Sequence, residues 1–107
     1  MKVVKRPNVL IELIKALEEG RLIPSFHAQE QMKKRDILMS DLEEALYRAK
    51  REDHKDSPTK DGKDWKYSLR GVNESGEKDL RIIIIFDDPK VVVVTAIDKN
   101  KKEDDHE

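Results

Sequence analysis

Cysteine is absent from the 107-residue chain. That excludes a disulfide framework, a thiol nucleophile and a zinc–thiolate site. Long hydrophobic runs are absent too. The longest, "IIIIF" and "VVVV", are strand length, far short of the roughly 18 residues that read as a membrane span. No signal-peptide-like hydrophobic region opens the chain, so a soluble, cytoplasmic protein with no membrane partner is the expectation. An excess of one charge is also missing. Lys and Arg number 22 against 23 Asp and Glu, a formal net charge of −1, so no global field draws the chain to nucleic acid and only local patches can. There is no glycine-rich phosphate loop and no G-x-S-x-G nucleophile turn. His27, His54 and His106 lack metal-ligand spacing. The acidic run "EDDHE" lies in a charged tail and reads as solvated charge.

What remains is a chain that is 42% charged, with its aliphatic residues gathered in a few segments. Its length suits one domain with one modest core. "NVLIELIKALEEG" predicts a helix. Leu10, Leu13, Ile14 and Leu17 follow the helical period, Asn8 can cap the start, and Gly20 suits the position after the end. "RLIP" reads as an extended link. Ser25 can cap a second helix from about Phe26 to Lys34, with Ala28 and Met32 as a narrow apolar stripe and Asp36 as its terminator. In "SDLEEALYRAK", Ser40 and Glu43 form a capping-box pattern, and Leu42, Ala45, Leu46 and Ala49 supply a buried face. Residues 51–64 read as one long polar loop. "WKYSLRG" alternates, and "LRIIIIF" and "KVVVVTAID" flank the tight turn "DDPK". The expected fold class is α+β: N-terminal helices on one face of an antiparallel sheet of three strands, or four. The domain spans residues 1–98, and 99–107 form a flexible tail.

The stretch "SFHAQEQMKKRDI" poses the functional question. His27, Gln31 and Arg35 are four residues apart, so on a helix they share one face, and that face has no large apolar residue. Histidine suits proton transfer near neutral pH, although a helical histidine also commonly bonds a backbone carbonyl. Arg35 can serve a ligand or pair with Asp36 or Glu30. On the strands, Trp65, Tyr67 and Leu69 share one face, and Lys66, Ser68 and Arg70 the other. Leu80, Ile82, Ile84 and Phe86 oppose Arg81, Ile83 and Ile85, so this strand is covered on both faces. A charge beside an apolar run, as at Arg81, needs a partner or a ligand. A sheet that carries Lys, Arg and Tyr suits a phosphate.

These segments together resemble a bacterial domain family with the pattern His-Ala-x-x-Arg-Met-x-x-Arg-Gly-Ile, then a Tyr-containing strand and a closing hairpin ending in Thr. The family is similar to the MqsR-type toxins of the RelE-like ribonuclease superfamily, and the likeness covers about residues 8–98. Two positions depart from the pattern: Gln31 stands where it prefers Arg, and Asp36 where it prefers Gly. The resemblance implies a RelE/MqsR-like fold and a toxin of a type II toxin–antitoxin pair. Such a toxin is an endoribonuclease that cleaves mRNA by attack of the 2′-hydroxyl on the adjacent phosphate, without metal or cofactor. RNA is then the substrate and a cognate antitoxin the partner. Carried over by position, Lys66 and Arg81 stabilise the phosphate. Tyr67 moves a proton or stacks on a base, and His27 is an acid or base. Arg35 and Arg70 hold the RNA backbone. Lys66 and Tyr67 face opposite ways on a regular strand, so both reach one phosphate only across a bulge. The alternative is a catalytically inactive RNA- or protein-binding module on the same fold.

Overall fold

The computed structural model describes residues 4–100. Helix α1 (Val9–Glu18) leads into a short strand β1 (Leu22–Pro24), then helices α2 (Phe26–Lys34) and α3 (Met39–Tyr47). A two-residue strand β2 (Lys50–Arg51), a 3₁₀ turn at Asp53–Lys55 and strand β3 (Ser57–Pro58) precede the long strands β4 (Trp65–Val72), β5 (Asp79–Asp87) and β6 (Lys90–Asp98). The fold is α+β, and the β4–β5–β6 meander is antiparallel as expected.

The sheet is larger than the sequence implies. Six strands take part, in the order β1-β6-β5-β4-β2, with β3 against the start of β4. Strand β1 lies parallel to β6, from Leu22↔Val91 to Pro24↔Val93, so the sheet is mixed. Three residues ending in Pro carry no readable alternation, which is why "RLIP" reads as a link. The loop expected over 51–64 instead holds β3 and the 3₁₀ turn. Both β2 and β3 are held by backbone bonds to β4 that no two-residue sequence pattern could announce.

Helix starts differ in detail. Asn8 sits at the α1 N-cap without a side-chain cap bond, and Gly20 follows the helix with φ +70°. Helix α3 begins earlier than the Ser40–Glu43 pattern suggests. Its N-cap is Leu38, whose N–H donates to the Asp41 carboxylate in the first turn at 2.9 Å. Lys99 and Asn100 are tied back, Lys99 N–H to the Asp79 carbonyl and Asn100 Nδ2 to the Glu77 carbonyl. The rest of the expected tail, including His106, lies outside the described residues.

One sheet face carries the core. Tyr67, Leu69, Leu80, Ile82, Ile84, Phe86, Val91, Val93 and Ala96 are buried there with Leu13, Ala16, Leu42, Ala45 and Leu46 from the helices. Helix α3 comes so close to β4 that a Cβ on Gly71 would stand 2.1 Å from the Ala45 carbonyl oxygen, so only glycine fits. On β6 the inward set changes phase. Ile83 pairs with Thr95 but Ile84 with Val93, which leaves Val94 as an extra residue. Val91 and Val93 point inward before this bulge, and Ala96 and Asp98 after it. Among the described residues, no helix is long and apolar enough to cross a membrane.

Candidate functional site

Helix α2 starts where Ser25 Oγ accepts from the Ala28 N–H at 3.1 Å, and it ends as Asp36 turns to φ +55°. Aspartate tolerates that left-handed backbone better than most residues. Ala28 and Met32 anchor the helix to the core. The next stripe answers the question posed by "SFHAQEQMKKRDI". The last contact of the β1 end with β6 is Ser25 N–H to the Val93 carbonyl. Beyond it, no strand among the described residues lies beside β6 on that side. Gln31 Oε1 accepts from the Ala96 N–H at 2.9 Å, and Arg35 Nη1 donates to the Ala96 carbonyl at 3.4 Å. Two side chains of a helix thus complete the ladder where the strand stops. Unpaired buried peptide groups are costly, which explains the burial of both polar residues. Gln31 is 8% exposed and Arg35 4%.

His27, one turn earlier, is exposed, and its imidazole makes no hydrogen bond or ion pair among the described residues. Along this helix runs a groove of about 470 Å³ lined by His27, Glu30, Gln31, Lys33, Lys34 and Arg35. It brings an imidazole, a carboxylate and two ammonium groups to one solvent-facing strip, backed by the fixed Gln31 and Arg35.

A second cluster lies on the opposite face of the sheet. Ser68, Arg70 and Arg81 project there. Arg81 Nε and Nη2 donate to the Glu52 oxygens Oε1 and Oε2 at 2.9 and 3.2 Å, and Ser68 Oγ donates to Oε1 at 3.2 Å. Arg70 grips Asp79 with two bonds of 2.7 and 2.9 Å, and its Nη1 is 3.6 Å from Glu52 Oε2. The Arg81 guanidinium holds the Glu52 carboxyl below the usual carboxylate range, and the Arg70 guanidinium does the same for Asp79. Nearby, the Asp56 side chain is buried and binds Arg51, Lys5 and the Ser68 N–H. Burial pushes its pKa up, but these donors outweigh burial and the net shift is downward.

The expected site residues therefore separate. Tyr67 is 1% exposed; its hydroxyl accepts from the Arg6 N–H at 2.8 Å, and its ring meets Phe86 edge-on. It faces the core and cannot stack on a base. Lys66 lies on the other face, with no bulge in β4 to bring the pair together. Lys66 is half-buried and pairs with Ser57 of β3. Arg35 is a ladder-closing residue rather than an exposed RNA contact. Arg70 and Arg81 share one surface as expected, but carboxylates occupy both. His27 belongs to the α2 groove, not to that cluster. Sequence reasoning missed Glu30, Lys33 and Lys34, although the spacing of Glu30 and Lys34 from His27 carries the signal. It also missed Glu52, which nothing local in a polar segment distinguishes. Among the described residues, no three His, Asp or Glu side chains gather to hold a metal ion.

No curated protein and no solved structure matches the chain. A family model described as "Domain of unknown function (DUF4258)" matches residues 25–98. The match begins at the capping serine of α2 and ends at the last residue of β6, so it takes in both clusters. Extending over more than half of the sequence, it shows that the chain belongs to the DUF4258 family.

Proposed function

We propose that the protein is a toxin-type, metal-independent endoribonuclease that acts on mRNA, with the reacting phosphate held along α2 and an antitoxin as its natural restraint. The observation that carries this is the α2 groove. Cleavage of RNA by its own 2′-hydroxyl needs a base, an acid and cations for the charged phosphorane, and the groove lining supplies all three. Glu30 takes the proton of the 2′-hydroxyl, whose oxygen bonds to phosphorus. The P–O5′ bond breaks, and the departing oxygen takes a proton from the His27 imidazolium. Lys33 and Lys34 neutralise the non-bridging oxygens. The products are a 2′,3′-cyclic phosphate and a 5′-hydroxyl. A RelE/MqsR-like relationship fits the helices on a β4–β5–β6 meander and is part of this proposal.

The test is incubation of the folded protein with a long RNA in chelator, with product ends analysed for cyclic phosphate. His27→Ala and Glu30→Gln should each slow cleavage about 100-fold or more, the usual weight of a proton-transfer group. Absence of cleavage by folded wild-type protein overturns the enzymatic reading. A second reading, RNA binding without cleavage, is favoured by the pairing of Arg70 and Arg81 with carboxylates. It predicts unchanged RNA but a saturable binding curve.

A further inference from the structure

The outer-face cluster has the geometry of an anion site with an occupant. Three donor side chains converge on it from two long, hydrogen-bonded strands: Ser68 and Arg70 on β4, Arg81 on β5. They meet a planar group with two oxygens, each engaged. Glu52 Oε1 takes Arg81 Nε at 2.9 Å and Ser68 Oγ at 3.2 Å. Glu52 Oε2 takes Arg81 Nη2 at 3.2 Å and lies 3.6 Å from Arg70 Nη1. A guanidinium fork gripping two oxygens of one group is how arginine holds a phosphate. Glu52 itself comes from a different part of the chain, the position that precedes the 3₁₀ turn at Asp53–Lys55. Its backbone is pinned by N–H to the Ser68 carbonyl at 2.9 Å. Departure of the carboxylate by side-chain rotation would leave that backbone bond, and the sheet, in place.

We propose that Ser68, Arg70 and Arg81 form a phosphate-binding site that the Glu52 carboxylate occupies in the free protein and yields to a phosphate group of RNA.

Charge and surroundings support this. Arg70 keeps Asp79 when Glu52 leaves, so two guanidiniums face one remaining carboxylate and the vacated site carries a net positive charge. Ile83 and Ile97 flank Arg81 on the same face and are half-buried, which lowers local screening. Arg81 pairs with Ile97, the neighbour of the Ala96 that Gln31 and Arg35 grip, so the site and the α2 groove lie at neighbouring register positions on opposite faces of the sheet. The choice of RNA rests on the function proposed above; the site itself does not.

The experiment measures affinity from backbone amide shifts by NMR, with the Arg81 Nε–H resonance as reporter of the site where arginine is present, during titration with inorganic phosphate and, separately, with an eight-nucleotide oligouridylate. Both are run on wild type, Glu52→Gln and Glu52→Asp. Glutamine removes the competing charge. Aspartate keeps the net charge but is one methylene too short to bridge Ser68 and Arg81. Both variants should bind the oligonucleotide about tenfold more tightly than wild type, the weight of one charge-assisted hydrogen bond. Arg81 Nε–H should shift as they do so, and Arg81→Ala in the Glu52→Gln background should erase the gain. Asp53→Asn, a charge change at an exposed neighbour, should give no such gain.

A folded Glu52→Gln or Glu52→Asp protein that binds neither probe more tightly than wild type overturns the proposal. So does a gain that survives Arg81→Ala or appears equally in Asp53→Asn. Binding of inorganic phosphate but not the oligonucleotide keeps the site and overturns its RNA assignment. Because the readout is binding at Arg81, it stands apart from cleavage, which depends on His27 and Glu30.

Discussion

Replacing Gln31 with Met tests whether α2 really finishes the edge of β6. Methionine nearly matches glutamine in length and shape, so it leaves little cavity. What disappears is the acceptor for the Ala96 N–H, held at 2.9 Å in a site where Gln31 is 8% exposed. A buried donor stranded in this way costs about 1–3 kcal/mol. With about 2 kcal/mol as the central value, a chain of this size should melt roughly 8–10 °C lower. Hydrogen exchange at the Ala96 amide gives the local reading. The same 2 kcal/mol corresponds to exchange about 30-fold faster. Gln31→Arg, which restores the pattern found in the resembling family, offers only donors and should speed Ala96 exchange similarly. Gln31→Glu keeps an acceptor and should leave the Ala96 amide slow. If Gln31→Met melts within about 2 °C of wild type with Ala96 still protected, the edge does not depend on Gln31 and the reasoning fails.

Tyr67→Phe removes only the hydroxyl that accepts from the Arg6 N–H; it should lower stability by about 1 kcal/mol while RNA cleavage stays within about twofold, and a large loss of cleavage would return Tyr67 to the active site. The carboxylates of Glu52, Asp56 and Asp79 are held below their usual range in the folded chain. Their contribution is therefore complete above ordinary carboxylate values and falls as pH drops through them toward the depressed folded ones. Denaturant melts between about pH 7 and pH 3 should show this decline, with a shallower slope in Glu52→Gln; equal slopes would argue that the Glu52 pairing adds nothing to folded-state stability.

The long elements were legible in sequence because each repeats its period often enough to be read. Strand β5 alternates without fault from Leu80 to Phe86, and all four residues of its inner set are buried. Ser25 marked the start of α2 through a local bond that the sequence nearly spells out. The short strands were not legible. Pairing of β1 with β6 depends on residues about seventy positions away, and three residues cannot display a pattern of their own. The bulge at Val94 hid inside "VVVV", where every register looks equally apolar. For the site, residue type was a sound guide to which groups are unusual but not to what satisfies them. Arg81 did need a partner, and the fold supplies Glu52, 29 positions earlier in the chain. Gln31 looked like a missing charge and is instead the acceptor that the sheet edge requires.

The extra residue at Val94 has a wider effect than a local kink. It splits β6 into two half-strands in opposite phase, so the outer rim of the sheet is read in two dialects. Before the seam, the rim speaks to backbone and recruits β1; after it, to side chains and recruits α2. Were Val94 instead an ordinary strand residue with no bulge, Ala96 and Asp98 would point outward and the peptide groups that Gln31 and Arg35 hold would turn toward β5. The helix bearing His27 would lose its mooring, although no residue of α2 had changed. The placement of the proposed chemistry is thus decided on a different element, by a valine whose side chain takes no part in it.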